Sequence, residues 1–163
     1  MKEKKSILLI GPFPDPVSGV SLANQVVKDI LSEDSNFKVD LINTSYSKFD
    51  EQLGVFTIKK FFFYLLQSFN LIKIFNNRII YITPGQTFYG ILKYGFFIIL
   101  GSVFRKELII HVHGNHLGEE YKSLNGIKRL VFYFLVSRFT KGIVLSNSLK
   151  DNLTPFIDES NIF

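Results

Sequence analysis

The chain has 163 residues, which suits one domain, and its 47 % hydrophobic content and mean hydropathy of +0.21 exclude a disordered polymer. It has no cysteine, so disulfide frameworks and thiolate chemistry are excluded and a cytoplasmic setting is the default. The net charge of +5 is uneven: from Val55 to Lys141 twelve Lys/Arg stand against three acids, a net +9 that points to an anionic surface.

The charged start Met1-Lys2-Glu3-Lys4-Lys5 precedes an apolar run too short for a signal peptide. That run, Ser6 to Ile10, reads as a buried parallel strand. It breaks at Gly11 into a loop, Gly11-Pro12-Phe13-Pro14-Asp15-Pro16-Val17-Ser18-Gly19-Val20, and helical spacing follows from Ser21 to Leu31. Strand, glycine-bearing loop and helix start together aim backbone N–H groups and a helix dipole at an anion, and a nucleotide phosphate suits that place. The plainer reading is a surface loop. The spacing of Gly11 and Gly19 is neither a dinucleotide fingerprint nor a Walker loop. Gly19, just before the helix, lets a ligand approach the backbone.

A second strand is expected from Lys38 to Asn43, then a polar loop with Tyr46, Lys48 and Asp50, and a helix over Thr57 to Phe75. A third strand, Arg78 to Thr83, stops at Pro84-Gly85, and a helix runs from Thr87 to Phe104. Strands follow at Glu107 to His113 and Gly142 to Leu145, separated by a helix over Gly126 to Arg138. A short helix at Ser148 to Leu153 and the opening of a sixth strand at Asn161-Ile162-Phe163 complete the pattern. Alternating strands and helices predict an α/β fold, a Rossmann-like parallel sheet with helices on both faces. Ligands bind at the carboxyl ends of such strands. The chemistry is therefore expected at Gly11–Ser21, Thr83–Gln86, His113–Glu120 and Ser146–Ser148.

The helices at Thr57–Phe75 and Thr87–Phe104 are apolar nearly all round. The second is interrupted by Lys93 and bounded by Pro84 and Arg105-Lys106, which argues against a membrane span. Two readings stay open: an outer face covered by another domain, a partner or a second copy in a homodimer, or shallow insertion into a bilayer aided by Lys59, Lys60 and Lys73.

All three histidines lie in His111-Val112-His113-Gly114-Asn115-His116. Residues two apart share a strand face, so His111 and His113 converge. Zinc would need a third ligand, His116 or Glu119. The preferred reading makes His111 a satisfied strand histidine and His113 the functional one, at the strand's end before a glycine. Ser146-Asn147-Ser148 reads first as a helix N-cap and second as a substrate contact. No nucleophile elbow or D-x-D motif is present.

The segments "IGPFPDPVSGVS", "HVHGN" and "VLSNSLKDNL", in this order and spacing, resemble the N-terminal half of a GT-B retaining glycosyltransferase of family 4. The resemblance covers nearly the whole chain. It implies a single acceptor-side domain over 1–163, with the C-terminal donor domain, or a partner subunit, supplied separately. It implies that Ser18, Gly19 and Val20 meet the donor diphosphate, although many relatives have Gly-Gly where this chain has Ser18-Gly19. It makes His113 the catalytic residue that contacts the transferred sugar. Thr83, Gly85, Gly114, Asn115, His116 and Ser146 would line the sugar and acceptor. The substrates implied are a nucleotide-diphosphate sugar and a lipid-linked saccharide in surface polysaccharide synthesis, with no metal or other cofactor. The location implied is the inner face of the plasma membrane, in peripheral contact with anionic lipid. A second hypothesis is a non-catalytic membrane-anchoring or assembly subunit of a split glycosyltransferase. Nucleic acid is disfavoured, because the cations are scattered and form no groove-sized stripe.

Overall fold

In the computed structural model, which describes residues 4–45 and 72–163, the apolar run at Ile7 becomes β1 (Lys5–Gly11), with Leu8, Leu9 and Ile10 almost wholly buried. Burial of successive residues means both faces of the strand are covered, as a central parallel strand requires. The chain divides into two units, Met1–Thr83 and Pro84–Phe163. The fold class is α/β and Rossmann-like: the described residues hold five strands, each in parallel pairing, with helices flanking them.

In the first unit the strand order is β2-β1-β3, with β2 at Phe37–Asn43 and β3 at Ile79–Ile82. The register pairs Leu9 with Leu41 on one side and with Tyr81 on the other. Helix α1 (Gly19–Glu33) connects β1 to β2, and the short α2 (Ile72–Asn76) precedes β3. Most of the expected helix at Thr57–Phe75, with Lys59 and Lys60, and the loop with Tyr46, Lys48 and Asp50 lie outside the described residues. Lys73 is described, and its ammonium donates to the Leu41 carbonyl (2.8 Å).

In the second unit β4 (Glu107–Val112) and β5 (Lys141–Val144) pair in register from Ile109–Lys141 to Val112–Val144. A Lys141–Glu107 ion pair of 2.7 Å sits at the start of the two strands. β4 alternates: Leu108, Ile110 and Val112 are fully buried, while Ile109 and His111 are partly exposed. That alternation sets both strand histidines on one face.

The helix expected at Thr87–Phe104 is two helices, α3 (Phe88–Leu92) and α4 (Gly95–Val103). At the break the Tyr94 N–H bonds the Ile91 carbonyl three residues back, which tightens the chain. Tyr94 at the break and Ile91 before it are both buried. The segment expected to be a polar loop after His113 contains a helix, α5 (His116–Ser123). Helix α6 (Gly126–Val136) lies close to the expected bounds. The short helix near Ser148 is a 3₁₀ turn, Asn147–Asn152. At the last residues a parallel bridge joins Ile162 to Gly142, in keeping with the strand opening expected there. Among the described residues no helix is long and apolar enough to cross a membrane.

Candidate functional site

The first candidate loop follows β1. Its glycine, Gly11, is needed because a Cβ there would overlap the Thr83 hydroxyl and crowd the Asn24 amide. Asn24, on the buried side of α1, donates to Thr83 Oγ1 (2.7 Å) and to the Pro12 carbonyl (2.8 Å). Both side chains are 2 % exposed, and Asn24 Oδ1 has no partner. Phe13 is buried, its N–H donating to Asn43 Oδ1 (3.1 Å) and Ser45 Oγ (3.0 Å) at the end of β2, while Ser45 Oγ donates to the Phe13 carbonyl (2.6 Å). The loop is thus clamped from α1, β2 and β3.

The loop delivers the chain to α1 through a reciprocal capping box. The Ser21 N–H donates to Ser18 Oγ (3.1 Å), and the Ser18 N–H donates to Ser21 Oγ (2.7 Å). Two first-turn donors are satisfied in this way. The N–H groups of Gly19 and Val20 have no acceptor among the described residues. The space over Gly19 is open, since a Cβ there would meet nothing within 4 Å. Unsatisfied N–H groups, a positive helix end and an uncovered backbone suit an anion. Of the residues expected to meet a diphosphate, Gly19 and Val20 offer free donors, whereas the Ser18 hydroxyl is occupied by the cap.

The second candidate loop follows β4. His111 and His113 do share a face, their ring centroids 4.0 Å apart. Burial, then the neighbouring His113, lowers the His111 pKa to about 4. Burial lowers that of His113 as well. Both are therefore neutral near pH 7. His113 Nε2 is buried with no hydrogen-bond partner, whereas His111 is engaged.

Gln86 holds this loop. Its Nε2 donates to the His113 carbonyl (3.1 Å), and its Oε1 accepts from the N–H groups of His116 (2.7 Å) and Leu117 (3.0 Å). Gln86 thus caps α5, a task Asn115 does not perform with its own side chain. Gly114 stands at φ +147, and a Cβ there would press on Gln86 Nε2. Glu120, on α5, accepts from the Phe88 N–H (2.8 Å) at the start of α3. His116 lies between Glu119 (3.5 Å) and Glu120 (3.6 Å) on the exposed side of α5. Asn152 accepts from the Gly118 N–H (3.0 Å), joining α5 to the 3₁₀ turn.

The remaining expected residues fall in different settings. Thr83 is buried and serves the first loop. Gly85 is exposed and packs close to Gly90, and Asn115 is exposed. Ser146 stands at the N-cap position of the 3₁₀ turn, as the first reading of that segment expected, and its side chain makes no capping bond. Its hydroxyl instead lies 2.8 Å from that of Ser148, a contact that replaces the backbone bond, and both residues are exposed. Among the described residues no three His, Cys, Asp or Glu side chains gather as a metal site. The sequence reading placed Gln86 in a candidate segment without its supporting role and missed Asn24, Asn43 and Ser45, and all four act through partners 12 or more residues away. His116 and Glu120 one helical turn apart were the available signal for α5.

No protein-family model matches the chain, and no curated protein matches it.

Proposed function

We propose that this chain is the acceptor-side, N-terminal domain of a GT-B retaining glycosyltransferase of family 4. Joined to a donor-binding domain or partner subunit, it moves a sugar from a nucleotide-diphosphate donor to a lipid-linked saccharide in surface polysaccharide synthesis. The observation that carries the reading is His113. Its Nε2 is buried without a partner, its backbone is clamped by Gln86, and a glycine follows it at the carboxyl end of β4. A neutral imidazole held this firmly exchanges a hydrogen bond with a sugar hydroxyl at little cost in ordering.

In this reading the acceptor oxygen bonds to the anomeric carbon as the bond to the diphosphate breaks. The acceptor proton passes to the departing diphosphate. The Gly19 and Val20 N–H groups take part of the charge that develops there. Gly114, Asn115 and His116 lie along the sugar and acceptor, with Gly85 and Ser146 as further contacts. Ser18 and Thr83 position the loop. The protein works in the cytoplasm against the inner face of the plasma membrane. A second reading, a non-catalytic anchoring subunit of a split enzyme, draws support from the apolar, cationic outer face of α4 and α6.

Amide and imidazole resonances test the reading during titration with nucleotide-diphosphate sugars. Shifts at Gly19, Val20 and the His113 ring, with smaller ones at Gly85, Gly114 to His116 and Ser146, are expected. Movement elsewhere, with these unchanged, would contradict it.

A further inference from the structure

In the second unit α3 and α4 both pack against α6, and Gly95 brings α4 against Leu135. The inward sides bury Phe97, Ile98, Phe132 and Leu135. The outward sides are apolar too. α4 exposes Phe96 (59 %), Ile99 (40 %) and Val103 (66 %), and α6 exposes Ile127 (79 %), Leu130 (69 %) and Phe134 (47 %). On each helix the three residues follow the i, i+3, i+7 spacing of one stripe. Apolar residues gathered in stripes on a water-facing surface mark a binding face.

Of the charges on α4 and α6 themselves none is acidic, and Glu120 of α5 stands at the start of α3, at the Phe88 N–H. No Asp or Glu occurs from 84 to 106 or from 121 to 150. Cations lie over the rings: Arg138 stands 4.5 Å from the centroid of Phe134, Lys128 5.8 Å from Tyr89, and Arg129 4.7 Å from Tyr121. A groove of about 390 Å³ opens beside Arg129 and Leu130. Apolar stems with cations and aromatic rings at their margin match the boundary between acyl chains and anionic headgroups. α4 has 9 residues and α6 has 11, so they suit lying in that boundary and are too short to cross it. A second copy fits less well, because neither α4 nor α6 carries an acid to meet Lys128, Arg129 and Arg138 of a facing copy.

We propose that the outward stripes of α4 and α6, with Lys128, Arg129 and Arg138, dock into an anionic phospholipid surface. This deepens the membrane-peripheral part of the proposed function and does not depend on glycosyl transfer.

The test is co-sedimentation of the full chain with vesicles of phosphatidylcholine alone or mixed with phosphatidylglycerol. Binding only to the anionic vesicles is expected. The variant K128Q/R129Q/R138Q, which alters solvated side chains, is expected to bind about 100-fold more weakly. A fluorophore at Ile127→Cys is expected to shift to the blue on vesicle addition. Anionic-vesicle binding that the charge variant leaves intact, or an unshifted fluorophore, would overturn the assignment of this face. A chain that binds neither vesicle would overturn membrane docking itself, with sugar transfer still open to its own assay. Concentration-dependent dimers abolished by Leu130→Ser would assign the face to a second copy instead.

Discussion

The loops after β1 and β4 solve one problem in opposite ways. The first loop is held by its own Ser18 and by Ser21, Asn24 and Asn43 of α1 and β2, and what remains open is backbone, the Gly19 and Val20 N–H groups. The second loop is held by side chains from outside it, Gln86 above all, and what remains open is a side chain, His113 Nε2. A loop that presents backbone recognises charge. A loop that presents an imidazole recognises a hydroxyl with direction. The glycosyl transfer proposed above would call on both kinds of recognition.

Substitutions sharpen that division. Gly11→Ala forces a methyl group into Thr83 and Asn24, and it should cost about 3 kcal/mol or more, seen as a large fall in Tm. Gln86→Ala removes three hydrogen bonds and uncaps α5. It should cost about 2 kcal/mol in urea unfolding, and amide exchange should rise first at His116 and Leu117. Ser18→Ala removes the capping acceptor and should cost about 1 kcal/mol, while Ser18→Asp should restore most of it. Gly19→Ala separates support from contact most cleanly. Its new methyl meets nothing, so stability should hold or rise by roughly 0.5 kcal/mol. Anion binding at the helix start should nevertheless weaken, read as a higher KM for the sugar nucleotide.

Acid probes His111 of β4. The His111 pKa lies at about 4 in the fold against 6.5 ordinarily, because burial and the nearby His113 oppose its charge. Between those values the unfolded chain binds more protons than the folded one. The His111 contribution to stability should therefore fall as pH drops from about 6.5 to about 4 and level off below. Urea unfolding across that window should show a shallower slope for His111→Gln than for the parent chain.

The strands were legible because apolar runs in a parallel sheet are local signals. So was the shared face of His111 and His113, which needs only a period of two. Less was legible where the deciding partner is distant in sequence. α5 is capped by Gln86, thirty positions before His116, and Asn115 gives no capping bond. Asn24 sits at helical spacing among apolar residues, and its amide is explained only by Thr83 and Pro12. The break at Lys93–Tyr94, where the Tyr94 N–H turns to the Ile91 carbonyl, has no marker such as proline in the sequence.

The central claim is sugar transfer through His113. Labelled sugar from a panel of nucleotide sugars should be followed into a membrane extract, with this chain alone and with the chain joined to the sequence encoded downstream of it. The account predicts transfer by the joined form, reduced about 100-fold or more in a folded His113→Ala variant. Transfer undiminished by that substitution, or absent from both forms when each is folded, would contradict it.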